Sequence, residues 1–295
     1  MTDLPYPKIH VVINPAAGKD EPILNTLNDV FHQYGVDWSI SVTKKYGDAT
    51  EFARQAAESG ADLVAGYGGD GTQHEVANGI LGTNTVMGVL PGGTGNGFAN
   101  ELGTPKELRP AVELLCTSTR VRSIDVVKLG DGYFVQRLYV GIEPEEQTSR
   151  ESKDKYGTFA YAIDAFHRGR ARQDKDIRYR ITIDGEVIEM PATKVYVVNA
   201  AKAGTGISVT GGFSKPDDGL VDVFVLDRGN LRTLAAASER VLHLNTDMAN
   251  RFIWRGKEIT IETDPDQPVW TDGEYTGRTP ISMKVIPGAL KVVVP

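Results

Sequence analysis

Residues 68–80 read GGDGTQHEVANGI: three glycines around Asp70, then a helical pattern. The run before it, ADLVAGYGG at 61–69, reads as a strand running into glycines, and QHEVANGIL at 73–81 as a helix. Strand, glycine turn and helix in immediate succession are the unit of an α/β domain. The unit recurs on both sides. Upstream, KIHVVINP (8–15) is a buried strand, and EPILNTLNDVFHQYG (21–35) gathers Ile23, Leu24, Leu27, Val30, Phe31 and Tyr34 near one helical face before Gly35 stops it. VDWSISVT (36–43) is a strand, and DATEFARQAAESG (48–60) a helix with Asp48 as expected N-cap and Gly60 as stop. Downstream, NTVMGVLP (84–91) is a strand, GNGFANELG (95–103) opens a helix, and PKELRPAVELLC (105–116) gives one more despite Pro110. This βαβα rhythm predicts an open parallel sheet with helices on both faces.

After about residue 120 the rhythm changes to strands. VRSIDVVKLGDGYFVQRLYVGI (121–142) reads as two strands joined through Gly130-Asp131-Gly132, and IRYRITIDGEVIEMPATKVYVVN (177–199) as a hairpin turning at Asp184-Gly185. DGLVDVFVLD, KEITIETD, QPVWTDG, ISMKVIP and ALKVVVP are further short strands, interrupted by the helix NLRTLAAASERVLHL (230–244). The expected fold is therefore α/β plus all-β: a parallel-sheet domain over 1–123 and an antiparallel β-sandwich over 124–287.

The formal net charge of -7 argues against a general nucleic-acid binder. The single cysteine, Cys116, excludes an internal disulfide, fits a cytoplasmic setting and reads as a small buried hydrophobe. The N-terminus lacks a signal-peptide pattern, and no apolar run approaches the ~20 residues that span a bilayer. Any membrane contact is expected to be peripheral. A homodimer is left open.

Three loops fall where strands of the parallel sheet end: NPAAGK (14–19), GYGGDGT (66–72) and PGGTGNG (91–97). Ligands of open α/β sheets sit at the carboxyl ends of strands, and glycine lets backbone come close to them. Two of the loops feed helices, whose free N–H groups favour anions. The reading is a polyphosphate cradle. Asp70 alone would repel phosphate, so it is expected to act through a divalent cation, for which magnesium is suited. The pattern GxxxxGK[ST] is absent, because Asp20 follows Gly18-Lys19. GYGGDG satisfies GxGxxG, but no ribose-binding carboxylate follows about 20 residues on, so a dinucleotide site is set aside.

NPAAGK, GGDGTQHEVANGI and LPGGTGNGFA resemble, in order and spacing, the diacylglycerol and sphingolipid kinase catalytic family. KPDDGLVDVFVL (215–226) is similar to that family's metal-loop segment, and WTDGEYTGRTPISMKVIPGALKVVVP (270–295) to its C-terminal segment. The resemblance implies an ATP-dependent lipid kinase, with ATP and magnesium between the two domains and the tail 288–295 returning to the first. It places Asn14, Thr43, Gly68, Gly69, Asp70, Gly71, Thr72, Glu75, Thr94 and Asn96 at the nucleotide. It assigns Asp272 of the Asp-Gly-Glu tripeptide as general base, with Glu274 assisting at nucleotide or metal and Asp70 in the catalytic set. It also implies a structural magnesium on Asp218 and the backbone oxygens of Lys215 and Leu220, linked to Asp125; a lone aspartate in the strand SIDVV independently needs a partner. From the residues alone, Thr43 also fits an ordinary strand position, Glu75 a solvated helix face, His74 a helix-start residue and Asp272-Gly273 a hairpin turn.

The acceptor is expected to be a lipid alcohol at a membrane surface. YGTFAYAIDAF (156–166) is apolar and HRGRARQDKDIRYR (167–180) basic, a pairing that could dock on an anionic bilayer. Two departures from the family stand out: Gly97 where many bacterial relatives carry Asp, and an acidic segment with Glu143, Glu145 and Glu146. Diacylglycerol is the first choice and a long-chain base or another lipid alcohol the second. NAD kinase, which shares GGDG, and a nucleotide-binding regulator without turnover are the rivals.

Overall fold

The structure, a computed structural model, describes residues 4–17, 20–141, 177–200, 215–226 and 253–295. Four parallel strands, β1 (Lys8–Ile13), β2 (Asp37–Val42), β3 (Leu63–Gly68) and β4 (Val86–Pro91), run in the order β2-β1-β3-β4. Helices α1 (Ile23–Tyr34) and α5 (Leu108–Thr117) cover one face, burying Leu27, Val30, Phe31, Leu108, Val112 and Leu115. Helices α2 (Asp48–Glu58), α3 (Asp70–Ile80) and α4 (Gly97–Leu102) cover the other. Pro110 sits in the first turn of α5, where its missing N–H would have had no helical partner.

This sheet does not end with the first domain. The long strand β16 (Ile281–Val293) lies beside β4, with Val292 opposite Met87, and pairs along β5 (Val121–Leu129) and β13 (Glu258–Asp264). Beyond β13 come β8 (Ile177–Ile183) and β9 (Glu186–Ala192), while β6 (Gly132–Phe134) pairs with β5, making ten strands among the described residues. A second, antiparallel sheet has six among the described residues: β12 (Ile253–Gly256), β11 (Val221–Leu226), β10 (Lys194–Val198), β7 (Arg137–Val140), β14 (Pro268–Thr271) and β15 (Glu274–Arg278). Its inner face packs on the antiparallel half of the first sheet through Leu138, Val195, Val223 and Val269 against Val127, Ile181, Ile259 and Met283. The chain is thus a parallel α/β unit joined to an antiparallel β-sandwich.

Several expectations change in detail. ISMKVIP and ALKVVVP are one strand with a bulge between Ile286 and Leu290, where Gly288 takes φ +61°. The stretch 132–141 breaks after β6, and the chain crosses to the second sheet. Helix α2 is capped by Gly47, not Asp48, whose carboxylate instead accepts the N–H groups of Lys44 and Lys45 (2.8 and 3.1 Å). The carboxylate at the start of α2 comes from α3: Glu75 Oε2 accepts the N–H groups of Gly47 (2.8 Å) and Ala49 (3.2 Å). The expected helix at 230–244, the aromatic-basic stretch up to residue 176, Glu143, Glu145 and Glu146 lie outside the described residues.

Candidate active site

The three loops meet at the carboxyl end of the parallel strands. Asn14 donates from Nδ2 to Thr72 Oγ1 (3.0 Å) and accepts the Ala16 N–H (3.0 Å), tying the first loop to the second. Gly92 N–H donates to Gly68 O (3.0 Å), tying the third to the second. The glycines are there for space rather than for φ. A Cβ on Gly93 would meet Gly69 Cα at 2.5 Å, and one on Gly68 would meet Thr72 Oγ1 at 2.4 Å. The left-handed residue of the cradle is Asn96, at φ +47°, which asparagine tolerates; its Oδ1 accepts the Gly93 N–H (3.0 Å) and closes the turn. Thr94 is exposed on that turn, and Thr43 follows β2 with its N–H on Ile13 O (2.9 Å).

Asp70 opens α3 but binds α4. Its Oδ2 accepts the Gly97 N–H (3.0 Å), and its Oδ1 accepts the Phe98 N–H (2.9 Å) and Gln136 Nε2 (3.2 Å). The Gly97 and Phe98 groups are backbone donors left free at a helix start. An ionised carboxylate has about four acceptor sites, so one oxygen position stays open.

The second domain reaches this site through the hairpin between β14 and β15. Asp272 (φ +48°) and Gly273 (φ +97°) form the two-residue turn, so the hairpin reading of Asp-Gly is realised here as well as at Asp184-Gly185. What separates the two is the aspartate's partners. Asp184 accepts the N–H groups of Lys257 and Glu258 on a neighbouring strand. The fully enclosed carboxylate of Asp272 accepts the N–H groups of Val135 (2.8 Å), Gln136 (3.0 Å) and Arg137 (2.8 Å), plus His74 Nδ1 (2.8 Å). Three successive N–H groups turned to one carboxylate explain why the chain breaks between β6 and β7. Asn78, one turn beyond His74, donates to Tyr133 O (3.1 Å) and accepts the Tyr133 N–H (3.2 Å), so α3 grips the second domain at two points.

Burial alone would raise the Asp272 pKa, but His74 and the backbone donors hold it below the usual carboxylate value. Burial likewise opposes charge on His74, and the Asp272 hydrogen bond and charge outweigh it, raising that pKa above 6.5. The Asp272 carboxylate therefore has all its acceptor sites filled and stays ionised. Glu274, two residues on, is exposed, with Oε1 3.7 Å from where a Cβ on Gly71 would stand. Glu75 is half-buried, and burial raises its pKa against the pull of the Gly47 and Ala49 N–H groups.

The 215–220 loop lies apart from these residues. Asp125 Oδ2 accepts the Gly219 N–H (2.6 Å) and Oδ1 the Gly288 N–H (2.8 Å), so the lone strand aspartate has its partners. Asp218 is paired to Arg255, which also bonds Asp222 (2.9 Å). The carboxylate on which magnesium was expected, with the Lys215 and Leu220 backbone oxygens, is thus engaged here by a guanidinium and by the Leu220 N–H (3.1 Å).

The sequence reading passed over Gln136 and Arg137. Both are buried, at 5% and 7% exposure, beside Asp70 and Asp272. The available signal was an arginine among apolar residues in FVQRLYV.

With this geometry in view, likenesses to known proteins become decisive. Residues 8–129 match the diacylglycerol kinase catalytic domain, and residues 138–294 the YegS C-terminal NAD kinase beta sandwich-like domain. The chain belongs to the diacylglycerol kinase family of lipid kinases. This kinase is similar to the diacylglycerol kinase of Staphylococcus saprophyticus, 29% identical over 92% of this chain and 90% of the relative. It is likewise similar to that of Staphylococcus haemolyticus, at 28% over 97% and 87%. A crystal structure of a diacylglycerol kinase from Bacillus anthracis superposes with a TM-score of 0.81 at 28% identity, covering 98% of both chains. Family membership implies that the kinase uses ATP. Among its described residues no helix is long and apolar enough to cross a membrane.

Proposed function

We propose that the chain transfers the γ-phosphoryl group of ATP to a hydroxyl of diacylglycerol. The observation that carries this is the meeting of the glycine loops with the Asp272-Gly273-Glu274 hairpin, sealed by the 2.8 Å bond from His74 to Asp272. The relatives named diacylglycerol kinase support the choice of acceptor.

Phosphoryl transfer asks mainly for positioning and charge neutralisation. The Gly68–Thr72 and Gly92–Asn96 loops cradle the polyphosphate. As the acceptor oxygen bonds to the γ-phosphorus, the bond to the β–γ bridging oxygen breaks and ADP leaves with that electron pair. The acceptor's proton passes to Glu274, the exposed carboxylate at the cradle; such help is worth roughly 10²–10⁴-fold. Asp272, with no acceptor site left, fixes the hairpin that carries Glu274. Magnesium fits beside Asp70, whose carboxylate keeps one acceptor position, and when bound it would spread the charge of the β- and γ-oxygens.

The test is transfer of label from [γ-³²P]ATP with magnesium into mixed micelles, each holding diacylglycerol, monoacylglycerol, sphingosine or ceramide, with NAD as a soluble control. Label in diacylglycerol above the other lipids is expected. Label in sphingosine alone would replace the acceptor, and label in NAD alone would overturn the lipid reading.

A further inference from the structure

Among the described residues Arg137 is the guanidinium that the fold places beside both site aspartates, and the mechanism above does not use it. Its side chain is buried on β7, next to the Tyr139 phenol. Its backbone N–H already serves Asp272, and that bond needs no charged side chain. A long apolar residue would fill similar volume without desolvating a charge.

The position of the charge is informative. A Cβ on Gly97 would lie 3.5 Å from Arg137 Nη2, 3.5 Å from Asp70 Oδ2 and 3.2 Å from Gln136 Oε1. The cation and the carboxylate therefore flank one point, at the first residue of α4, and glycine leaves that point open. Burial works against the charge; Tyr139, Asp70 and Asp272 outweigh it, so the group stays protonated.

We infer that Arg137 is a positioning residue for the polyphosphate: a fixed internal cation that offsets the Asp70 charge beside the cradle. The inference rests on the reading that the nucleotide phosphates occupy the glycine loops. Asp70 holds the start of α4 through the Gly97 and Phe98 N–H groups, yet its charge stands where an anion must bind. A guanidinium beside it lets the carboxylate keep those bonds without repelling the ligand. Arginine suits the task because it stays charged when buried.

Calorimetric titration with ADP and with inorganic tripolyphosphate tests this, with thermal melting as the folding control. In Arg137→Met both probes should weaken about tenfold, because the loss belongs to phosphate and not to the base. With magnesium left out of the titrations, adding Asp70→Asn to Arg137→Met should recover affinity, since the uncompensated charge is then gone. Arg137→Gln replaces Arg137→Met if the latter fails to fold. Wild-type affinity in the folded neutral variant, or no recovery in the double variant, would each overturn the proposal. Wild-type protein that binds neither probe would remove the nucleotide reading itself.

Discussion

At the scale of single residues, the two acids of one tripeptide have different environments and should fail differently. Asp272→Asn puts an amide where four donors converge, so at least one N–H loses its acceptor. Breaking a buried charged pair from one side typically costs about 3–5 kcal/mol. Melting temperature should fall, and activity with it. Glu274 is exposed, so Glu274→Gln should leave stability within about 0.5 kcal/mol. The His74–Asp272 pair adds a pH dependence. The His74 pKa is raised in the fold, so its contribution is complete below 6.5 and fades as pH climbs through the raised value. The gap in melting temperature between wild type and His74→Gln should therefore be widest near pH 6 and narrow toward pH 9. A constant gap would mean that His74 is neutral throughout. Asp272, held below its ordinary value, contributes fully above the ordinary carboxylate pKa and loses that contribution as pH falls from there through the depressed one.

At the scale of elements, helix α3 organises the site. Its N-terminus is the glycine loop, Glu75 caps α2, and His74 and Asn78 dock the second domain. It also crosses α2 closely: a Cβ on Gly79 would stand 2.3 Å from Thr50 O and 2.8 Å from Ala53 Cβ. Gly79→Ala should cost about 1–3 kcal/mol through overpacking, read by denaturant unfolding, although alanine favours helix by itself. The 215–220 loop makes the opposite point. Held by Arg255 and Asp125, it should melt at the same temperature in magnesium and in EDTA without nucleotide, while Asp218→Ala should lower stability by freeing Arg255. A clear rise with magnesium in wild type, lost in Asp218→Ala, would restore a metal there.

Across the whole molecule, strand and helix order was legible because it rests on local periodicity and turn residues. The α/β half and the sandwich follow from that pattern. What was not legible depends on partners far apart in the chain. Asp48 looked like a cap until Glu75, 26 residues beyond Ala49, took the role. The enclosure of Asp272 by the N–H groups of residues 135–137 was equally hidden. The boundary near Ser123 hid a continuous sheet, since strand pairing across β16 leaves no mark in composition. That continuity predicts one cooperative unfolding transition for both halves. It also predicts that truncation after Ile286 unfolds the chain. Burying Leu290, Val292 and Val293 contributes about 1.5–3 kcal/mol each, a sum comparable to the ~5–15 kcal/mol that holds a typical domain. A truncated chain with an unchanged melting curve would refute this.

The central claim is that the hairpin of the second domain completes the phosphoryl-transfer site of the first, with Glu274 as the proton acceptor. Its most direct test is single-turnover transfer from magnesium-ATP to diacylglycerol in mixed micelles by Glu274→Gln, beside calorimetric ADP binding. The account predicts a rate lower by 10²-fold or more with ADP affinity and melting temperature near wild type. Turnover at the wild-type rate in Glu274→Gln would contradict it.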